Sequence, residues 1–391
     1  MRYLLFDDEH RDNLLPLCYT RPISEFRIGI LTLKEKWQKR LPKKAIFAGY
    51  ITEVYLQEKY PCIIQKDQWW INSSVCPNDK LVKDILALQI NESLFDGNET
   101  LIAFRSGDFK EVLDCQMFYT DNEFTHISSL TDIFSKNGIE LKLDFDLITK
   151  GRNSQQIHFS NQVLGAEHIF IEEGAVVQCA IINAMEGPVY IGREAKVLEG
   201  SIVRGPFALC DHAQTNLGAK IYGPTTVGPH SKVGGELNNV VIFGYSNKGH
   251  DGFLGNSVIG EWCNIGADSN NSNLKNNYAE VRLWNYPKQS FTSTGLLFCG
   301  LVMGDHSKCG INTMFNTGTV VGVSANIFGA GFPRNFIPSF TWGGPQGQST
   351  YQINRAFDVA EKVMQRRGVV LDETEKSILT KVFELSDDLR R

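Results

Sequence analysis

Large aliphatic residues recur at every sixth position through the middle of the chain. Counting from residue 191, seven of eight successive sixth positions carry a branched aliphatic side chain. The eight positions are Ile191, Val197, Val203, Leu209, Thr215, Ile221, Val227 and Val233. The same spacing returns at Ile259 and Ile265, and again from Met303 to Ile327. A fixed period of this kind is typical of a stacked repeat.

The six-residue period predicts a β-solenoid. Every sixth residue walks around an α-helix instead of staying on one face, which excludes an amphipathic helix. Residues 151–350 also hold 29 of the 35 glycines, and each would cost a helix about 1 kcal/mol. We therefore expect short strands that each send one apolar residue inward. Three such sides would make a coil, and coils would stack about 4.8 Å apart.

The flanking segments carry other patterns. Apolar runs that predict buried strands alternate with helical patterns at 31–37 and 52–58, which indicates an α/β layer with a largely parallel sheet. The runs are 3–6, 45–48 and 101–104. Behind the solenoid, apolar residues at three- to four-residue spacing predict helices, the second capped by Asp372. We therefore divide the chain into 1–150, 151–345 and a helical tail at 346–391. The Asn-rich stretch 270–277, which breaks the period, is expected to project as a loop.

Composition narrows the class of protein. The chain has 391 residues, with 42% hydrophobic and 21% charged, as in a folded globular protein. Its 39 basic and 44 acidic residues give no basic surplus for nucleic-acid binding. No apolar run approaches the roughly 20 residues of a membrane span, and the first residues lack the apolar core of a signal peptide. Nine scattered cysteines without a CxxC pair predict reduced thiols in a cytoplasmic protein.

Three stretches inside the solenoid carry a family resemblance. They are Val233-Gly-Gly-Glu-Leu-Asn-Asn, then Ser246-Asn-Lys-Gly-His-Asp-Gly-Phe-Leu-Gly, then Asn264-Ile-Gly-Ala. Together with the α/β front, the chain resembles the bifunctional glucosamine-1-phosphate N-acetyltransferase and N-acetylglucosamine-1-phosphate uridylyltransferase family. The resemblance implies a Rossmann-like, nucleotidyltransferase-like front domain and a left-handed parallel β-helix of hexapeptide repeats. It also implies a homotrimer with active sites between subunits.

The resemblance assigns roles in the acetyl-transfer half. His250 falls on the catalytic histidine. Glu236 and Asn273 fall on substrate-binding residues, and Gly266 and Ala267 fall at the site of acetyl-coenzyme A. Asn238 and Lys220 stand where the family has lysine and arginine, and Phe253 where it usually has tyrosine.

Those residue types suit acetyl transfer to a sugar amine. A histidine with an ordinary pKa near 6.5 can take the proton of the attacking amine. A backbone N–H at the edge of a coil could stabilise the charge that develops on the thioester oxygen.

The front half offers fewer motif elements. Nucleotidyl transfer needs a phosphate-binding loop, a basic residue and carboxylates for Mg²⁺. Residues 7–21 contain no glycine, but Thr20 and Arg21 echo the end of the family's loop and could meet phosphate. Asp108 follows a predicted strand, and the resemblance suggests it as the metal ligand. The implied substrates are a sugar phosphate and a nucleoside triphosphate, and the implied product is UDP-N-acetylglucosamine.

Several alternatives stay open. The front domain could use another sugar-1-phosphate, such as glucose-1-phosphate with dTTP or UTP, or it could be degenerate beside an active acyltransferase. The solenoid could be a scaffold without activity. His212 and His230 lie 18 residues apart, so they should stack on one edge, where histidines of neighbouring coils can bind zinc.

Overall fold

The computed structural model describes residues 1–390, the side chain of Lys110 excepted. Contacts group these residues into two compact units. The first unit comprises 1–14, 20–26 and 31–129, and the second comprises 15–19, 27–30 and 130–391. Residues 130–150, expected in the front domain, thus have their contacts in the second unit. No helix among the described residues has the length and apolar character to cross a bilayer.

The first unit is built on a six-stranded sheet with the order β2-β1-β3-β5-β4-β6. The strands are β1 Arg2–Phe6, β2 Ile46–Ile51, β3 Gln68–Asn72, β4 Glu92–Phe95, β5 Leu101–Ser106 and β6 Gln116–Tyr119. Strands β2, β1 and β3 are parallel, and β5 runs antiparallel to β3 and β4. The sheet is therefore mixed, because one strand of the expected parallel set is reversed.

Two helices belong to this unit, α1 Leu33–Arg40 and α2 Asp79–Ala87. Helix α1 begins with a capping box. The Thr32 side chain accepts a hydrogen bond from the Glu35 amide, and the Glu35 side chain accepts one from the Thr32 amide. The helix expected at 52–58 is only a short 3₁₀ turn, Val54–Leu56. Trp70 is fully buried and stacks on Phe104, so this tryptophan is a core residue.

The second unit is a parallel β-solenoid of about ten coils. Its strands in chain order are β7 Gln162–Leu164, β8 Ile169–Ile171, β9 Val176–Val177, β10 Ile181–Asn183, β11 Val189–Ile191, β12 Lys196–Val197, β13 Ile202–Arg204, β14 Phe207–Leu209, β15 Gln214–Thr215, β16 Lys220–Tyr222, β17 Thr225–Val227, β18 Lys232–Val233, β19 Glu236–Gly244, β20 Asn247–Lys248, β21 Phe253–Glu261, β22 Asn264–Ile265, β23 Asn270–Asn271, β24 Arg282–Asn285, β25 Ser290–Ser293, β26 Leu301–Met303, β27 Lys308–Cys309, β28 Met314–Phe315, β29 Thr319–Val321, β30 Asn326–Ile327, β31 Phe336–Ile337, β32 Thr341–Gly344 and β33 Gly347–Thr350. Strands that are neighbours along the axis pair in parallel, as β11 does with β8 and β14.

The column of side chains inside the solenoid confirms the six-residue interpretation. All eight sixth-position residues from Ile191 to Val233 are at most 1% exposed. The seven aliphatic members share one apolar cluster that continues through Ile259, Met303 and Val321. Burying each such side chain stabilises the fold by about 1.5–3 kcal/mol before entropy is counted. The predicted fold class is therefore confirmed.

The remaining helices are α3 Leu130–Ser135, α4 Asn137–Thr149, α5 Ile353–Gln365, α6 Glu373–Leu385 and α7 Asp387–Arg390. The tail is helical as predicted, and the Asp372 side chain caps α6 by accepting from the Glu375 amide at 2.8 Å. The Asn-rich stretch 270–277, expected as a projecting loop, is a loop only in part. Asn270 and Asn271 stay in the solenoid as β23, and an antiparallel hairpin of β24 and β25 follows the stretch. All nine cysteines are free thiols, in keeping with the sequence.

Candidate functional sites

Three adjacent parallel strands of the first unit end in polar residues at one edge of the sheet. Asp7 and Asp8 follow β1, Thr52 follows β2, and Asn72 ends β3. Ligands of open α/β sheets bind outside the carboxyl ends of the strands, because side chains from neighbouring strands converge there. This edge is therefore the candidate site of the unit.

Asp7 is held by donors from three directions. Its carboxylate accepts from Arg11 Nε at 3.2 Å, from the Ile23 amide at 2.9 Å and from Thr52 Oγ1 at 2.6 Å. Burial nevertheless raises the pKa of Asp7 above its ordinary value, although Arg11 and the hydrogen bonds oppose this. The contacts fix the loop after β1 against the segment that contains Arg21.

Asp8 lies beside two histidines. Its Oδ2 accepts from Ser74 Oγ at 2.7 Å and Asn72 Nδ2 at 2.9 Å, and lies 3.4 Å from His126 Nε2 and from His10 Nδ1. Burial opposes ionisation of Asp8, but hydrogen bonds from His126, Ser74 and Asn72 and the nearby His10 hold its pKa below the ordinary value. Asp8 is therefore an anion at neutral pH.

Thr20 and Arg21 are both buried in the first unit, with 6% and 5% of their surface exposed. Ile23, two residues after Arg21, donates to Asp7, so this segment runs along the polar edge. Asp108 is not brought to that edge. It follows β5, which pairs antiparallel with β3 so that Ser106 lies opposite Gln68, at the start of β3. Asp108 is exposed there, and its amide hydrogen-bonds to Ser106 and Glu111.

In the second unit, three successive coils present polar side chains on one face. Lys220 pairs with Glu236 across β16 and β19, and Glu236 pairs with Phe253 across β19 and β21. Tyr222 Oη donates to Glu236 Oε1 at 2.5 Å, and Lys220 Nζ lies 3.9 Å from Glu236 Oε2. The hydrogen bond to Glu236 raises the pKa of Tyr222 to about 12. The carboxylate of Glu236 thus faces one hydroxyl and one ammonium group.

The same strip continues through Asn238 and Asn273. Asn238 is opposite Gly255 in the strand register. A Cβ on Gly255 would lie 2.8 Å from Asn273 Nδ2 and 2.5 Å from the Phe253 ring, so both side chains lie directly against this glycine. Asn273 also donates to Asn256 Oδ1 at 2.8 Å. The structure therefore brings together Lys220, Glu236, Asn238 and Asn273, which we call the polar strip.

His250 lies in the turn between β20 and β21 and is exposed to solvent. The carbonyl of Gly252, two residues later, accepts from the Glu236 amide at 3.1 Å, so the turn adjoins the polar strip. Ala267 lies on the next coil at the same corner. The amide of its neighbour Asp268 donates to the Asp251 carbonyl at 3.0 Å, which joins the two turns. The Gly266 amide donates to the Cys309 carbonyl at 3.1 Å, which commits it to the strand ladder. Gly266 therefore cannot supply the N–H for a thioester oxygen in this conformation.

Lys248 is a residue that the sequence did not single out. It pairs with Val233 and so occupies the inward column of aliphatic residues, with 2% of its surface exposed. Its Nζ donates to the His250 carbonyl at 2.6 Å, and burial lowers its pKa to about 8. Tyr222 was missed as well, although its position two residues after Lys220 on one strand places both on the same face.

The stacking of His212 on His230 is confirmed. Their ring centroids are 4.8 Å apart with planes at 10°, and the stack continues through Tyr245, Trp262 and His306. Within the described residues, the one group of three side chains that could hold a metal is Asp8, His10 and His126. The stacked histidines are not part of such a group, so this geometry gives the zinc alternative no support.

A pocket of the second unit lies beside the hairpin of β24 and β25. Its volume is about 600 Å³, and it is lined by the cations Lys275, Arg282 and Arg334 and by the rings of Trp284, Phe291 and Phe336. Trp284 and Phe336 stack with centroids 4.1 Å apart. Cations next to aromatic rings suit an anionic ligand with a flat or apolar part.

The comparisons with known proteins separate the two halves of the chain. Residues 3–153 match a family model described as "Sugar nucleotidyl transferase". No curated protein matches the chain significantly. The match spans fewer than half of the residues, so it describes what the front segment is similar to.

The solved structures to which the chain is similar are distant. UDP-N-acetylglucosamine acyltransferase from Francisella novicida is 13% identical, with a TM-score of 0.30, covering 59% of this chain and 82% of that one. The Arabidopsis enzyme of the same name is 15% identical, with a TM-score of 0.25, covering 60% of this chain and 99% of that one. AntD from Bacillus cereus, an N-acyltransferase solved with a dTDP-amino sugar and coenzyme A, is 10% identical, with a TM-score of 0.22, covering 53% and 92%. With such low identities and TM-scores, the activity of the solenoid has to be inferred from its own residues.

Proposed function

We propose that this chain is a two-activity sugar transferase. The front unit would transfer a nucleotidyl group from a nucleoside triphosphate to a sugar phosphate, and the solenoid would transfer an acyl group from acyl-coenzyme A to an amino sugar phosphate. The observation that carries the proposal is the match of residues 3–153 to a sugar nucleotidyl transferase model, on a sheet whose parallel strands end in one polar edge. The specific substrates proposed are glucosamine-1-phosphate, acetyl-coenzyme A and UTP.

In the front unit, Thr20 and Arg21 are the proposed contacts for phosphate, since they lie on the segment joined to Asp7. Mg²⁺ would enter with the triphosphate and reduce the charge that the attacking phosphate meets. The surroundings of Asp108 do not fit a Mg²⁺ ligand for this site, because the antiparallel β5 carries it to the opposite edge of the sheet. No step of the reaction is therefore assigned to Asp108.

In the solenoid, the polar strip would hold the amino sugar phosphate. Lys220 supplies a cation for phosphate, and Glu236, Asn238 and Asn273 supply acceptors and donors for sugar hydroxyls. His250, exposed at the neighbouring corner, would take the proton from the sugar amine as it attacks the thioester. Ala267, on the next coil of that corner, marks the proposed position of the acyl donor.

The test of acyl transfer is the release of free thiol from acetyl-coenzyme A with glucosamine-1-phosphate. Removal of a general base costs about 10²–10⁴-fold, so His250→Gln should lower kcat by at least that lower figure. His168→Gln, an exposed histidine of the first coils, is the matched control and should keep full activity. Equal activity of His250→Gln and the wild type would remove His250 from the mechanism.

Nucleotidyl transfer is tested by release of pyrophosphate from a panel of nucleoside triphosphates with sugar-1-phosphates. Arg21→Lys keeps the charge but loses the planar fork that grips phosphate, so kcat/KM should fall about tenfold or more. Thiol release without pyrophosphate for any pair would favour the second candidate, an acyltransferase with a degenerate front domain. The glycine-free stretch 7–21 is the observation that favours this candidate.

The active sites of the solenoid are proposed to lie between copies in a homotrimer. Light scattering of the purified chain, whose mass is 43.9 kDa, should then give three times that mass. A monomer with full thiol release would refute the shared site.

A further inference from the structure

The edge of the sheet in the first unit holds three groups whose chemistry the proposed transfer reactions do not use. They are the carboxylate of Asp8 and the imidazoles of His10 and His126. One ligand atom from each lies within 4.8 Å of the other two. Carboxylate and imidazole together are the donors that divalent transition metals prefer, whereas Mg²⁺ prefers oxygen alone.

The distances fit a common metal centre. Asp8 Oδ2 lies 3.4 Å from His10 Nδ1 and 3.4 Å from His126 Nε2. Two ligand atoms that each bind a metal at about 2.1 Å with a tetrahedral angle are about 3.4 Å apart. Both distances are longer than the roughly 2.7–2.9 Å of a hydrogen bond from a charged donor to a carboxylate, so the hydrogen bond between His126 and Asp8 is a long one. Each histidine nitrogen is thus spaced from Asp8 Oδ2 as two ligands of one ion would be.

The two imidazoles differ in their hydrogen bonds. His10 Nδ1 is buried and makes no hydrogen bond within the part of the chain that the structure describes, although Asp8 is near. His126 Nε2 lies 3.0 Å from Ser74 Oγ. The two rings meet edge to face with centroids 5.0 Å apart.

The carboxylate is anchored by its own partners. Asn72 Nδ2 and Ser74 Oγ both donate to Asp8 Oδ2, and the His10 amide donates to Oδ1 at 3.0 Å. Ser74 is fixed in turn by its amide, which donates to Asn72 Oδ1 at 2.9 Å. Such outer hydrogen bonds orient a metal ligand and are a usual part of metal sites.

From this arrangement we propose that Asp8, His10 and His126 form a binding site for one divalent transition metal ion. Three protein ligands leave further positions of the ion open for water or for an anionic ligand. Metal binding as such does not depend on the proposed nucleotidyl transfer. The further step, that a phosphate oxygen takes an open position, does rest on that proposed function.

The test is a titration of the full-length, metal-free protein with Co²⁺, followed by its visible absorption. The wild type should take up one Co²⁺ with bands in the visible range, and Zn²⁺ should displace it. His10→Gln, His126→Gln and Asp8→Asn should each weaken binding at least tenfold. His158→Gln and His212→Gln, which alter histidines elsewhere, are the matched controls and should titrate like the wild type.

A second measurement keeps the proposal testable if a variant fails to fold. Diethyl pyrocarbonate modifies accessible imidazoles, and the side chains of His10 and His126 are 30% and 19% exposed. In the wild type, Co²⁺ should slow modification of these two histidines but not of His158, as mapped by mass spectrometry. No uptake of Co²⁺, or unchanged uptake in the double variant His10→Gln/His126→Gln, would overturn the proposal.

The two proposals fail separately. If Co²⁺ binds at these residues and no pyrophosphate is released from any substrate pair, the metal site stands and the nucleotidyl transfer fails. If pyrophosphate is released with Mg²⁺ at equal rates in the wild type and in His10→Gln, the transfer stands without this site.

Discussion

Replacing Lys248 by methionine tests whether a charge is held inside the solenoid column. Lys248 lies between Val233 and Ile265 in the inward column, and burial lowers its pKa from 10.5 to about 8. A pKa difference of about 2.5 corresponds to about 3 kcal/mol at 1.36 kcal/mol per pH unit. At pH 7 the buried ammonium therefore destabilises the fold by about that amount.

The sign of the pH dependence follows from where the proton is lost first. Below pH 8 the lysine is charged in both the folded and the unfolded chain. Between about pH 8 and 10.5 the folded chain has released this proton and the unfolded chain still holds it. The free energy of unfolding of the wild type therefore rises with pH in this range. From pH 7 to 9.5 the gain attributable to Lys248 is about 2 kcal/mol.

The assay is denaturant unfolding of the wild type and Lys248→Met at pH 7 and 9.5. Lys248→Met should be at least as stable as the wild type at pH 7, and its advantage should shrink by about 2 kcal/mol at pH 9.5. Lys308, whose pKa burial also lowers to about 8, is present in both proteins and cancels in the difference. Lys232→Met, on the outward side of the neighbouring strand, is the control and should follow the wild type. Parallel pH profiles of Lys248→Met and the wild type would refute the reasoning.

Substitutions at three further positions test the fold by thermal or chemical unfolding. Asp372→Ala removes the cap of α6 and should cost about 0.5–2 kcal/mol, whereas Asp372→Asn should restore most of it; equal melting of all three proteins would contradict the cap. Leu237→Ala empties a fully buried position of the column and should cost about 2–5 kcal/mol, and a loss below 1 kcal/mol would mean that the column can collapse there. Gly252→Ala should prevent folding or lower the melting temperature sharply, because its φ is +113° and the added Cβ would lie 2.1 Å from the Ser269 carbonyl oxygen; wild-type stability would show that this turn can rearrange.

The fold of the solenoid is predictable because each coil repeats the same physical problem. Every side must bury one apolar side chain, so Ile191 to Val233 record the period directly. The six-residue period does not continue directly after Val233, and the structure shows the physical reason. Val233 pairs with Lys248, 15 residues later, so that coil is three residues shorter than an 18-residue coil. The shortened coil hid the fact that a lysine occupies the inward column.

The first unit shows a different limit. Strand runs such as residues 3–6 and 101–104 are visible from their apolar character, but the direction of a strand is not. The resemblance suggests Asp108 as the metal ligand for nucleotidyl transfer, but the reversed β5 carries it to the opposite edge of the sheet. His126 meets Asp8 across 118 residues of chain, and only tertiary pairing of 74–76 with 125–127 brings them together. No local pattern could have found that cluster.

The most direct test of the proposed function is mass spectrometry of the products formed by the full-length chain. The reaction would contain acetyl-coenzyme A, glucosamine-1-phosphate, UTP and Mg²⁺, with single omissions as controls. The two-activity account predicts a nucleotide sugar that carries the acetyl group, and its loss when any of these substrates is left out. A reaction that fails to release coenzyme A thiol, or fails to release pyrophosphate, with these substrates and with related sugar phosphates and nucleotides, would contradict it.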